Sequence, residues 1–264
     1  TEGPAIDSKG NLYFTSRGTY KGIVTWNEKD GFKEYLAVAK KEGPGGLYFD
    51  SADNLYVTAT GEQQILKIAP DKKITVLAEN FDVMPGKSKG PNDLVVAKDG
   101  TIFFTEPNGF DGSSPKGTIY RIPKDGNPEV FSQEIAGPNG IMLSADVSTL
   151  FASHNTAKNT SIIVKWKLPK GPIEQVAKID PCQADGMDID KNGNLWLTCY
   201  SHGIAHLVNP SGQSIQTITT AQKALTNIKF GRGPNNKWLY MTSSDMDRIT
   251  GYIYRTKVEV GGLR

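Results

Sequence analysis

Apolar and polar positions alternate in short runs along this chain, and the clearest run is ADGMDIDKNGNLWLTCY, Ala184 to Tyr200. An apolar strand carrying Asp185 runs into Ile189, and the Lys191-Asn192-Gly193 turn supplies residues that tolerate positive φ. Leu195-Trp196-Leu197-Thr198 then alternates as a returning strand, so the spacing predicts a β-hairpin. Imperfect copies of the same pattern recur. Aligned on the last apolar residue of the first strand they give Ile6, Phe49, Val96, Leu143, Ile189 and Phe230, six copies from end to end. Four positions upstream stand Glu2, Gly45, Asn92, Asn139, Asp185 and Thr226, so the period runs from 41 to 47 residues. Such a period belongs to propeller blades, in which each four-stranded sheet is one repeat that cannot bury its faces alone. The pattern therefore predicts an all-β fold, a six-bladed β-propeller of four-stranded antiparallel blades around a central tunnel, forming a single domain over residues 1–264. The second strands line up as well, and each carries a hydroxyl near its end: Thr15, Thr58, Thr105, Ser153, Thr198 and Thr242.

Two polar connections, Glu79 to Gly90 and Glu106 to Lys116, are longer than the rest and are expected to overhang a tunnel mouth and shape access to it. The sixth repeat lacks an obvious fourth strand. Propellers protect their closing edge by pairing, so either Val258-Glu259-Val260 completes that sheet or a strand upstream of Thr1 does.

Charge adds exclusions. With 30 Lys+Arg against 28 Asp+Glu the net charge is +2, and no basic cluster interleaves with aromatics, so no nucleic-acid partner is expected. No run of eighteen apolar residues occurs and the chain opens without a signal-peptide pattern, so no membrane partner is expected. The expectation is a monomer or weak dimer in the cytoplasm, or in the periplasm or medium if an upstream segment is removed. Cys182 and Cys199 flank the two strands of one hairpin, where a disulfide is conceivable. In the register set by the Asn192-Gly193 turn, however, Cys199 should face a residue near Met187 or Gly186, and the expectation is a pair of free thiols.

The candidate chemistry follows from the repeat. First strands line the tunnel of a propeller, so Glu2, Gly45, Asn92, Asn139, Asp185 and Thr226 should form a ring facing the axis. Any one of these residues taken alone is as well explained by turn capping. Together, two carboxylates and two amides make an oxygen-rich set suited to a hard divalent cation, with no Cys or paired His to suggest a dedicated zinc or copper site. A second ring, at the ends of the second strands, reads Ser16, Ala59, Glu106, His154, Cys199 and Ser243. Glu106 and His154 should stand near Asn92 and Asn139, where they could move protons; a satisfied polar pair at the rim explains them equally well. His202 and His206 are read as structural or surface residues. No GxSxG elbow, Walker loop, dinucleotide fingerprint or CxxC is present.

The segments TEGPAIDSKGNLYFTS, GPNDLVVAKDGTIFFTEP, GPNGIMLSADVSTLFAS, ADGMDIDKNGNLWLTCY and LTNIKFGRGPNNKWLYMTS, beginning at Thr1, Gly90, Gly137, Ala184 and Leu225, resemble the gluconolactonase, senescence marker protein (regucalcin) and luciferin-regenerating enzyme superfamily. PNDLVV followed by FTEP is most similar to bacterial gluconolactonases. The resemblance implies a calcium-type ion, with Mg2+, Mn2+ and Zn2+ as alternatives, held by Glu2, Asn139 and Asp185. Asn92 would contact the ion through water or contact the substrate. It also implies that Asp185 is the general base or nucleophile of a metal-dependent hydrolase of a small lactone; Glu106 and His154, from the second ring, are the further catalytic candidates. The family's animal branch has a sugar-binding Arg where Gly90 stands here, a place that Lys87 or Lys89 could fill. A related organophosphate hydrolase and a non-catalytic calcium-binding scaffold are the competing readings. The ring itself offers no cationic clamp for a phosphate, which favours the lactone.

Overall fold

A computed structural model of the chain describes residues 1–79, 90–110, 117–156, 159–247 and 250–263. Blade one comprises β1 (Glu2–Ile6), β2 (Leu12–Arg17), β3 (Lys21–Asn27) and β4 (Gly31–Ala37), and blade two comprises β5 (Leu47–Phe49), β6 (Leu55–Ala59), β7 (Gln64–Ile68) and β8 (Ile74–Glu79). Blade three is built from β9 (Leu94–Val96), β10 (Ile102–Glu106), β11 (Thr118–Ile122) and β12 (Glu129–Ser132), and blade four from β13 (Pro138–Leu143), β14 (Thr149–Thr156), β15 (Thr160–Lys167) and β16 (Ile173–Ile179). Blade five holds β17 (Gln183–Ile189), β18 (Leu195–Tyr200), β19 (Ile204–Val208) and β20 (Ser214–Thr219); blade six holds β21 (Ala224–Phe230), β22 (Trp238–Ser244) and β23 (Gly251–Lys257). Each sheet is an antiparallel meander, and together they form a six-bladed β-propeller. All six first strands end on the aligned apolar residues, from Ile6 to Phe230.

The hairpin turns between first and second strands repeat one device. Asp7, Asp50 and Asp190 each accept two backbone N–H groups from the turn and the amide Nδ2 of Asn11, Asn54 or Asn194. An Asx side chain thereby fixes the reversal, and Gly10 and Gly193 take the positive φ, 86° and 80°, that two of these turns require. Apolar faces of neighbouring blades close on one another, as where Phe131 stands edge-on between Phe103 and Trp166 with centroids 5.4 and 5.8 Å away.

Blade six is three-stranded among the described residues. Val258 to Val260 does not supply its fourth strand: Val258 N–H bonds Lys237 O, and the chain then crosses to blade five, where Gly262 bridges Asp190. Side chains bind blade six to blade one instead. The Arg255 guanidinium lies 4.7 Å from the Trp238 ring and 5.2 Å from that of Trp26, and meets Glu28 at 2.6 Å.

The free-thiol expectation is corrected by the structure, in which Cys182 and Cys199 form a disulfide with Cα atoms 5.0 Å apart. From residue 187 onward the strands follow the register that pairs Met187 with Leu197, but before it Ala184 faces Cys199, so β17 carries an extra residue at Asp185-Gly186. A flat register would set Cys182 three positions from the residue facing Cys199 and on the opposite face. The bulge makes the offset two positions and the face the same.

Candidate active site

Bulges of this kind aim the ring. Register shifts fall between Glu2 and Ala5, Pro138 and Ile141, Ala184 and Met187, and Leu225 and Asn227. Asn139, Asp185 and Thr226 lie inside these irregularities and Glu2 opens the first one. Blades two and three do the same just ahead of β5 and β9: Thr58 O accepts from Gly45 N while Thr58 N donates to Gly46 O, and Asn92, Asp93 and Thr105 repeat the pattern. A bulge releases one residue from the pleat and turns its side chain, here into the tunnel.

The hydroxyls that mark the second strands hold the ring from the neighbouring blade. Thr15 Oγ1 donates to Gly45 O at 3.0 Å, Thr58 to Asn92 O at 2.7 Å, Thr105 to Asn139 O at 2.8 Å and Thr198 to Thr226 O at 2.9 Å. Each of these hydroxyls is fully buried. In blade four the corresponding Ser153 Oγ is buried without a hydrogen-bond partner among the described residues.

A cavity of about 340 Å³ opens over the ring, lined by Glu2, Arg17, Asn92, Asn139, Asp185 and Tyr200 among others. A larger one, about 690 Å³, opens at the other end of the first strands among Ile6, Phe49, Val96, Leu143 and Phe230. The carboxylate pair belongs to the smaller cavity, which is therefore the candidate site. There Asn92 Nδ2 donates to Asn139 Oδ1, and Asn139 is hydrogen-bonded in turn to Asp185. Burial pushes the Glu2 carboxyl above its ordinary value, against the pull of Arg17 and the N-terminus. Asp185 is raised further, by burial first and then by the negative charges of Glu2 and Asp93. Two carboxylates in mutual repulsion retain a proton or call for a cation.

Arg17 was not singled out by the sequence reading. Its Nε donates to Gly43 O and Pro44 O at 3.2 and 3.1 Å and its Nη2 to Thr60 Oγ1 at 3.1 Å, which fixes the guanidinium at the cavity wall. The ring proper still contains no cation, yet the cavity above it does. Of the second ring Ser16 lines this cavity and Glu106 and His154 do not; Arg17, Asn155, Tyr200 and Ser244, each one residue beyond a ring position, also line it. Side chains alternate along a strand, so a ring read one residue off falls on the opposite face. The informative signal was Thr15 and its equivalents, since the residues two positions on share their face. Lys89 and Lys87, and most of the two long loops, lie outside the described residues. His202 Nδ1 contacts Tyr200 O at 3.0 Å and His206 Nδ1 contacts Ser214 Oγ at 2.9 Å, both away from the ring.

Beneath the ring lies a charged layer. Lys229 is buried with Nζ donating to Met187 O at 2.8 Å, and its charge opposes the burial that raises Asp93. Phe230 N–H bonds Asp188 Oδ2 at 2.8 Å.

Comparison with known proteins shows the family. A gluconolactonase of Zymomonas mobilis is 24% identical over 265 residues, 88% of this chain and 73% of that protein. The structure of a gluconolactonase from Xanthomonas campestris superposes with a TM-score of 0.76 at 24% identity, covering 92% of this chain and 82% of the other. That of regucalcin from Agrobacterium tumefaciens, described as a calcium-binding protein, superposes with a TM-score of 0.79 at 20% identity, covering 99% and 90%. Residues 1–245 match the family described as SMP-30/Gluconolactonase/LRE-like region, and the chain belongs to that family.

Proposed function

We propose that the chain is a lactonase-type hydrolase in which a small cyclic ester binds over the ring and is opened by water to its hydroxy acid. A divalent cation, calcium foremost, is held by Glu2, Asn139 and Asp185, with Asn92 beside it. The observation that carries this reading is the convergence of a buried carboxylate, Asp185, a half-buried one, Glu2, and two amides at the floor of one cavity. Such a set is costly to bury unless a cation or proton joins it, and its all-oxygen donors suit a hard ion. No group of three or more His, Cys, Asp or Glu converges among the described residues, so amides and water have to complete the ion's shell. Asn139 Oδ1, which accepts from Asn92 Nδ2 in the ion-free arrangement, would turn from that bond to the ion. Gluconolactonases among its relatives support the reaction class.

When bound, the ion would supply Lewis-acid polarisation of the ester carbonyl. Asp185, stripped of its extra proton, takes a proton from the attacking water and returns it to the departing ring oxygen. Asn92 and Tyr200 offer polar contacts for a hydroxylated ligand, and Arg17 faces the cavity where a carboxylate product gains from a cation. Glu106 and His154 stand next in line as proton carriers only if a substrate draws them in.

Steady-state assays on an aldonolactone, an aliphatic lactone and a fluorophosphate, with calcium and after chelation, test the reading. The expected result is lactone turnover that chelation abolishes and calcium restores. Absence of lactone turnover with calcium present, or a clear preference for the fluorophosphate, overturns it.

A further inference from the structure

Asp185 and Glu2 are the ring residues whose support differs from that of the other four; for Glu2 the hydroxyl in the corresponding place, Thr242 Oγ1, meets Thr226 Oγ1 at 2.9 Å instead. The backbone carbonyls of Gly45, Asn92, Asn139 and Thr226 each take a threonine hydroxyl from the preceding blade. The hydroxyl that occupies this place for Asp185 is that of Ser153, and it bonds nothing among the described residues. In its stead blade five has a separate brace just ahead of the bulge. The Cys182–Cys199 disulfide ties the residue three before Asp185 to the second strand, at the point where Ala184 faces Cys199. Two side chains of blade four grip the same three residues: Asn155 Nδ2 donates to Ala184 O at 2.9 Å, while Ser161 Oγ lies 3.0 Å from Cys182 O and accepts Ala184 N–H at 2.7 Å. Ser161 Oγ is itself oriented by Asn155 Oδ1 at 2.6 Å. Both sulfurs and both supporting side chains are buried.

We propose that the Cys182–Cys199 disulfide is a positioning element for Asp185, replacing with a covalent tie the hydroxyl latch that holds Gly45, Asn92, Asn139 and Thr226. The proposal rests on the reading of Asp185 as an ion ligand for its functional consequence, but not for its structural one. Cys182, Ala184 and Asp185 are successive points on one short strand, so fixing the first two leaves the bulge a single way to aim the third. Without the bond, the start of β17 keeps its pairing with β18, the Cys182 N–H bond to Asn159 O, the Thr198 hydroxyl on Gly186 O and the Asn155 and Ser161 contacts, all of them hydrogen bonds, and the carboxylate loses the one covalent constraint on its direction toward Glu2. Outer-shell supports of this kind are worth about 10- to 100-fold in metal affinity. Because both sulfurs are fully buried, solvent reductants do not reach the bond in the folded protein. It is set as the chain folds, which ties assembly of the site to an oxidising environment.

The test compares native protein, protein refolded from denaturant with a phosphine present so that both thiols stay free, and the Cys182→Ser/Cys199→Ser variant. Amide hydrogen exchange of the calcium-free forms should show protection lost over residues 183–188 and kept over 138–142 and 224–228. Calcium titration should show affinity lowered by about 10- to 100-fold on loss of the bond, with a much smaller loss in an Asp185→Asn background. A disulfide that only braces the fold lowers protection in all three segments alike, or leaves 183–188 unchanged; either result overturns the proposal. If the native protein binds no calcium, the functional reading fails and the exchange pattern still decides the positioning claim.

Discussion

Replacing Thr105 by Val and, separately, Ser153 by Ala asks whether the hydroxyl latches bear on stability as their geometry implies. Thr105 is fully buried; its Oγ1 donates to Asn139 O at 2.8 Å and accepts Asp93 N–H at 3.2 Å. Valine fills the same space, so the change removes hydrogen bonds without opening a cavity. Leaving a buried polar group unpaired costs about 1–3 kcal/mol. Two such groups are affected here, and the longer contact counts for less, so Thr105→Val should destabilise by about 2–4 kcal/mol. Ser153 occupies the equivalent place in blade four, and its Oγ has no partner among the described residues. Ser153→Ala deletes a buried hydroxyl that is already unpaired, and the expected change is within about 0.5 kcal/mol of zero or slightly stabilising. Urea denaturation of both variants at fixed calcium, followed by fluorescence, measures the difference. Equal losses, or a greater loss for Ser153→Ala, would refute the assignment of the latch.

Other expectations concern the ring itself. Asp185→Asn should keep the fold and lower lactone hydrolysis by about 10²–10⁴-fold, since an amide still offers an oxygen but takes no proton; full retained turnover would move the base elsewhere. Glu2 and Asp185 both bind a proton more tightly than ordinary carboxyls, so calcium must displace it and affinity should rise with pH until both are ionised. For the calcium-free protein the sign reverses. Groups with raised folded values stabilise below their unfolded values and lose that contribution as pH rises, so its melting temperature should fall on going from about pH 4 toward neutrality, as far as this pair is concerned; a rise with chelator present would count against the pair. Arg17→Met should raise KM for carboxylate-forming substrates and weaken product inhibition, measured by initial rates with added hydroxy acid, and should lower the melting temperature because the buried Gly43 O and Pro44 O lose their donor.

The fold was legible because the repeat writes both strand period and turn chemistry into the chain. Ile6 and its five counterparts close their strands where the alignment put them, and in three of the six the next residue is the Asp that fixes the turn, Asp7, Asp50 or Asp190. The first ring was legible for the same reason: one repeat position, one place in each blade. What escaped was everything that depends on a bulge. An extra residue in the first strand leaves the apolar alternation of each half intact, so nothing in the periodicity signals it. Its effect is to turn the face of all that follows. Of the second ring Ser16 lines the cavity and Glu106 and His154 do not, while Arg17, Asn155 and Tyr200 do; the cysteine pair is mismatched in a flat register and matched in the bulged one. The Asp93 and Lys229 layer escaped on other grounds, because a single buried Lys in an apolar strand carries no positional signal until the tunnel brings it opposite a carboxylate.

The bulges also explain how a repetitive scaffold carries an asymmetric site. Each blade uses the same backbone irregularity to aim one side chain at the axis, so the geometry is shared and only residue identity varies around the ring. Where that residue is glycine, as at Gly45, the device persists with nothing to present: a Cβ there would lie 2.3 Å from Asn92 O and 2.7 Å from Thr58 Oγ1. Gly45→Ala therefore separates scaffold from chemistry. It adds no functional group to the ring, yet it forces apart the carbonyl of Asn92 and the hydroxyl that latches it. Overpacking of this sort costs about 1–3 kcal/mol, and the displaced backbone is that of a ring member. The expected outcome is a moderate loss of stability together with weaker calcium binding, read by denaturation and titration on the same preparation. Normal calcium affinity at reduced stability would show that the latches brace the blades without setting the ring, and would detach the stability of this propeller from the aim of its central residues.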